Sequence, residues 1–139
     1  MTPFSDIYER FLSMITEYDF IELEEDEFEA ELEVKLEMAL SKLLQMDVTM
    51  DTTLQVFSRE LTILEKTILA HGLLVEWISQ RVFDVQNMRN HMASSDFKIF
   101  STANHLSEMM NLHTYANREL TYLLGQYTLS QALVQVKNL

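Results

Sequence analysis

The chain has 139 residues, 47% of them hydrophobic, and carries a net charge of −12 from 22 acidic and 10 basic residues. That size and apolar content fit one globular domain and exclude a disordered chain. Two glycines, one proline and no cysteine argue against a turn-rich all-β fold and exclude disulfides, thiolate metal sites and cysteine nucleophiles.

In chain order, Thr2-Pro3 suits a helix start. Phe4, Ile7, Tyr8, Phe11, Met14, Ile15 and Tyr18 then recur at spacings of three and four. This pattern predicts an amphipathic helix over 3–18. The N-terminus lacks the basic and apolar regions of a signal peptide. An acidic connection follows at 19–26, then a helix over 26–44 with Phe28, Leu32, Leu36, Ala39, Leu40 and Leu43 on one face. Residues 45–57 break the pattern and are rich in Thr and Val, which predicts a loop with a short strand at 53–57.

Ser58 is the expected cap of a third helix over 59–82, apolar on most faces and therefore expected to be central. Gly72 lies inside it, where the usual reason is close approach of a neighbouring helix. Trp77 is expected as a core anchor. Glu65, Lys66, His71 and Glu76 interrupt the apolar run, so it does not read as a membrane span. The helix continues or restarts over 83–92. Ala93-Ser94-Ser95-Asp96 breaks it, Phe97–Phe100 reads as a tucked loop, and Ser101 caps a last helix over 102–127, loosened near Gly125. Residues 128–139 read as an extended tail with apolar residues but little to close against. There is no internal repeat, domain linker or long heptad run. The expected fold is all-α: a bundle of four to five helices (1–127) with one long central apolar helix and an extended C-terminal tail (128–139).

Candidate chemistry is sparse. No two of His71, His91, His105 and His113 are four apart, and none follows a Glu by three; His105 and Glu108 form one isolated i, i+3 pair. Structural or surface roles are the favoured reading for the histidines. No nucleophile elbow or glycine-rich phosphate loop occurs. A non-enzymatic protein without cofactor is expected.

The charge is uneven: residues 17–37 hold 11 acids and one base, Lys35. Like charges at i, i+4, such as Glu25/Glu29 and Glu29/Glu33, each cost a few tenths of a kcal/mol. Three roles stand open for this segment, with Glu22, Glu24, Glu25, Asp26, Glu27 and Glu29 at its centre. It is a solvated face, a contact for a basic partner in the manner of a nucleic-acid mimic, or a wall that repels DNA. The calcium-loop spacing is absent.

Three stretches carry a family resemblance: Met1–Leu12 (MTPFSDIYERFL), Leu64–Ile78 (LEKTILAHGLLVEWI) and Ser95–Leu106 (SDFKIFSTANHL). Together they resemble small helical head-to-tail connector proteins of tailed bacteriophages, also called adaptor, neck or head-completion proteins. The resemblance implies a structural protein of the virion neck, made in the host cytoplasm. Such proteins form a ring, expected as a dodecamer, between the portal protein and a tail or stopper protein. The ring extends the channel through which DNA passes without specific binding, and no membrane is involved. The resemblance also implies a terminal segment that contacts the portal; Leu133, Val134 and Val136 of the tail are the candidates. The acidic segment then lines or flanks the channel, although it is not a hallmark of the family. Asp96, Phe97, Lys98, Ser101 and Asn104 are candidates as a structured loop and helix cap, with a fold-determining role favoured over contact. The alternative function is an acidic inhibitor that mimics nucleic acid and binds a basic partner through 17–37.

Overall fold

The computed structural model describes the backbone of residues 1–15, 25–43, 45–91 and 96–138, with side chains over 1–14, 29–43, 45–83 and 107–138. Among these residues the chain is mostly helical. Its elements are α1 (Phe4–Ile15), α2 (Glu25–Ser41), β1 (Met50–Asp51), β2 (Val56–Phe57), α3 (Ile63–His91) and α4 (Asp96–Lys137). α3 packs against α1, α2 and α4.

The apolar stripes of the first two helices lie where the spacing puts them. Phe4, Ile7 and Phe11 of α1 are buried, as are Leu32, Leu36 and Ala39 of α2, with Leu43 just beyond its end. α3 contributes Ile68, Leu69, Ala70, Leu73, Trp77 and Ile78. The Trp77 ring meets Phe11 edge-on at 6.0 Å, and the Arg81 guanidinium lies over it at 5.0 Å. Trp77 is thus buried in the core, as expected, and its contact with Phe11 joins α3 to α1. At Gly72, a Cβ would sit 3.3 Å from the Cβ of Ala39. The glycine therefore marks the close approach of α2 to α3.

The N-terminus departs from expectation. Thr2 does not cap α1; its buried hydroxyl donates to Glu60 Oε2 and accepts from the Leu61 amide. The backbone of Thr2 and Phe4 pairs with Phe57 and Gln55, and Pro3 bridges Val56. The chain start thus lies along β2.

The strand expected at 53–57 is also displaced. β1 and β2 pair antiparallel, Met50 with Phe57 and Asp51 with Val56. Residues 52–55 form the turn between them, because Asp51 Oδ1 accepts the amides of both Thr53 and Leu54 at 3.0 Å. Gln55 completes it with φ of 59°.

Three helix ends differ from the sequence reading. α2 closes at Ser41 rather than 44, where Lys42 and Leu43 amides tighten onto Ala39 and Leu40 carbonyls. α3 starts at Ile63, not 59, and Ser58 is not its cap: the Ser58 hydroxyl accepts the Thr49 amide instead. The cap is Thr62, whose hydroxyl accepts the Glu65 amide at 3.2 Å while Glu65 Oε1 accepts the Thr62 amide at 2.9 Å. That reciprocal box leaves Ser58 in the hairpin. α4 begins at Asp96 and runs without a break to Lys137. Ser101 is therefore inside the helix rather than capping it, and 97–100 is helical rather than a loop. Gly125 continues the helix, and 128–137 is helical rather than an extended tail. The breaks expected at 93–95 and the connection at 19–24 lie outside the described residues.

Candidate functional site: the distal part of α4

α4 has two apolar faces. One is buried against the core through Met109, Ala116 and Tyr127, with Leu112, Leu120, Leu123 and Leu124 half-buried beside them. Tyr127 is the last buried residue of the helix. From Thr128 to Asn138 every residue is exposed. Leu129 is 63% exposed, Leu133 54%, Val134 50% and Val136 63%. The three tail residues singled out from sequence are thus outward-facing and uncovered by any described residue. Leu133 and Val134 line one shallow groove with Leu129 and Lys137. Val136 is outside that lining but, seven residues on from Leu129, stands beside it on the same side of the helix.

A buried polar cluster fixes α4 where this exposed stretch begins. The Tyr127 hydroxyl donates to Glu65 Oε2 at 3.2 Å, and Arg59 grips both carboxylate oxygens of Glu65. Glu65 is 2% exposed. The Arg59 hydrogen bonds, with the Thr62 amide and hydroxyl, hold its carboxyl down to about 2 against the opposing effect of burial. Burial and the Glu65 carboxylate push the Tyr127 phenol up. The geometry is that of a structural clamp between the start of α3 and the last buried turn of α4. Its legible trace in the sequence is the Thr62-x-x-Glu65 capping box; nothing local marks Arg59 or Tyr127 as its partners.

The acidic segment is placed only in part. Glu25, Asp26 and Glu27 open the first turn of α2, where carboxylates suit the helix dipole. Glu29 is exposed, while Glu22 and Glu24 lie outside the described residues, as do the side chains of Glu25, Asp26 and Glu27. Glu33 and Glu29 add to burial in raising the Tyr8 phenol well above its ordinary value. The one base, Lys35, is buried, and its ammonium donates to Gln80 Oε1 of α3 at 3.2 Å. Asp96, Phe97, Lys98, Ser101 and Asn104 fall in the first turns of α4, and their side chains lie outside the described set.

Among the described residues no group of three or more His, Cys, Asp or Glu side chains is arranged to hold a metal ion. His113 instead shares a 2.9 Å hydrogen bond with Ser79, whose hydroxyl also donates to the Val75 carbonyl. That second bond uses the only hydroxyl proton, so the imidazole must donate to Ser79 and does not act on it as a base. No helix among the described residues is long and apolar enough to cross a membrane. No family model matches the chain, and neither a curated protein nor a solved structure is significantly similar to it.

Proposed function

We propose that this chain is a structural subunit of a phage head-to-tail connector, a helical bundle around α3 whose distal α4 segment docks on the portal. The observation that carries the reading is the exposure of Leu133, Val134 and Val136 on a helix that continues beyond its last buried residue. An isolated helical stretch of about ten residues is marginal in water, and exposed apolar side chains on it gain from a partner. The resemblance of Met1–Leu12 and Leu64–Ile78 to connector proteins supports the same reading. Those two stretches meet through Phe11 on Trp77 and through the Lys66–Asp6 ion pair. In a ring, α2 faces the channel with its carboxylates and keeps DNA from adhering. No catalytic role is proposed.

Negative-stain electron microscopy of the protein, alone and mixed with a portal from the same phage, tests this reading. Rings or added density under the portal are expected, together with loss of docking when the chain stops after Tyr127. A bare portal, or normal docking by the truncated chain, overturns it. Salt-sensitive capture of a basic nucleic-acid-binding protein in place of the portal would favour the nucleic-acid-mimic alternative.

A further inference from the structure

The support of α4 changes at one residue. Up to Tyr127 the helix lies on the core through Met109, Ala116 and Tyr127 itself, with Leu120, Leu123 and Leu124 half-buried. From Thr128 to Asn138 every residue is exposed, with Gln45 across a shallow groove from Thr128, Gln131 and Gln135. Residues 120–136 carry no charge, so no i, i+4 ion pair braces this stretch. Ala132 is its one best-ranked helix former, while Thr128, Ser130, Val134 and Val136 come from the lower half of the scale. The Thr128 hydroxyl bonds back to the Leu124 carbonyl, which slightly weakens a helix. One specific contact opposes all this at the joint: the Tyr127 hydroxyl on the buried Glu65 carboxylate. Gly125 lies just behind it, with nothing within 4 Å of where a Cβ would stand. No neighbour requires a glycine there, and it makes the last supported turn weaker than an alanine would.

We propose that the Glu65–Tyr127 hydrogen bond is a catch that divides α4 into a held part, ending at Tyr127, and an arm, 128–137, whose helix opens and re-forms in the free chain. Opening of this kind spreads through an unsupported stretch and stops where packing resists it. The first residue to resist is Tyr127, held by its buried ring and by a carboxylate that Arg59 and Thr62 fix in place. Behind it Gly125 offers little resistance, so loss of the catch lets the opening run back to Leu124. The arm carries Leu133, Val134 and Val136. On the connector reading, docking orders the arm as the contact forms. That consequence alone rests on the connector role; the opening belongs to the free chain.

Amide hydrogen exchange of the full chain tests the catch. Helix opening is much faster than exchange, so each amide reports its open fraction. Amides 132–137, whose helical acceptors all lie in the arm, are expected to be protected less than about tenfold, and amides 120–128 at least about a hundredfold. Tyr127→Ala should speed exchange at 126–128 by about tenfold or more. Tyr127→Phe keeps the ring and removes only the donor, so it should speed the same amides by about fivefold. Gly125→Ala meets open space, and it should slow 126–128 by about fivefold while leaving 132–137 within about twofold. Equal protection across 120–137 overturns the arm. Unchanged exchange at 126–128 in both Tyr127 variants, or slowing of 132–137 by Gly125→Ala, overturns the catch. Portal binding is scored separately. A protected arm on a chain that docks normally overturns this proposal and leaves the connector role intact. An open arm on a chain that never docks does the reverse.

Discussion

Glu65 and Tyr127, 62 residues apart, share a buried hydrogen bond of 3.2 Å at the point where α4 leaves the core. Arg59 and the Thr62 amide complete the shell of the same carboxylate. Replacing Glu65 by Ala removes the acceptor of the Thr62 amide in the capping box of α3 and leaves Arg59 and Tyr127 without their shared acceptor. The expected cost is about 3 kcal/mol in urea unfolding. Tyr127→Phe removes one donor and leaves Arg59 and Thr62 in place, so it should cost about 1 kcal/mol. Equal costs for the two variants would mean that the carboxylate does not organise the cluster.

The same cluster sets an acid response. Glu65 is held at about 2 in the folded chain, against about 4.3 for an ordinary glutamate. Its contribution is therefore complete above the unfolded value and is lost as pH falls toward 2. Unfolding free energies of wild type and Glu65→Gln should differ most at neutral pH and converge between pH 5 and 2. A gap that stays constant across that range would place the origin of the effect elsewhere.

Much of the core was legible because it is periodic. Phe4, Ile7 and Phe11, and Leu32, Leu36 and Ala39, recur at spacings only a helix aligns, and these residues are buried. Boundaries set by competing hydrogen bonds were not legible. Ser58 and Thr62 are both good cap types, and the choice between them depends on Thr49 and Glu65, which claim one each. The turn at 52–55 depends on the Asp51 carboxylate capturing two amides. The long run of α4 was hidden by Ser101 and Gly125, whose cap and break signals yield to the helix around them.

Gly72 is a packing position rather than a turn. An added Cβ would gain about 1 kcal/mol of helix propensity. It would also press on Ala39 Cβ at 3.3 Å, with Leu43 close behind, and overpacking of this kind costs about 1–3 kcal/mol. Gly72→Ala should therefore destabilise by about 1 kcal/mol, and Gly72→Leu by about 3 kcal/mol or more. A double-mutant cycle with Ala39→Gly should show coupling. A more stable Gly72→Ala protein would mean that α2 and α3 separate readily.

Gln55 closes the β1–β2 turn with φ of 59°. A non-glycine residue in that region costs about 1–2 kcal/mol, partly offset by the side-chain bond from Gln55 Nε2 to the exposed Thr52 carbonyl. Gln55→Gly removes the strain while its carbonyl still accepts the Phe4 amide. The expected gain is about 0.5 kcal/mol in thermal or urea unfolding. A loss would show that the side-chain bond outweighs the backbone strain.

The distal face of α4 separates stability from docking. Leu133 and Val136 are 54% and 63% exposed, and substitutions at exposed positions generally stay within about 0.5 kcal/mol. Leu133→Asp combined with Val136→Asp should therefore leave the unfolding free energy of the isolated chain within that range when measured at concentrations too low for association. The two carboxylates would still have to be desolvated in any apolar interface, at a cost of several kcal/mol. Loss of portal density in negative-stain images with an unchanged melting curve is the expected result. A large drop in stability would instead make these residues part of the core of the chain. Retained docking would move the contact surface away from the end of α4.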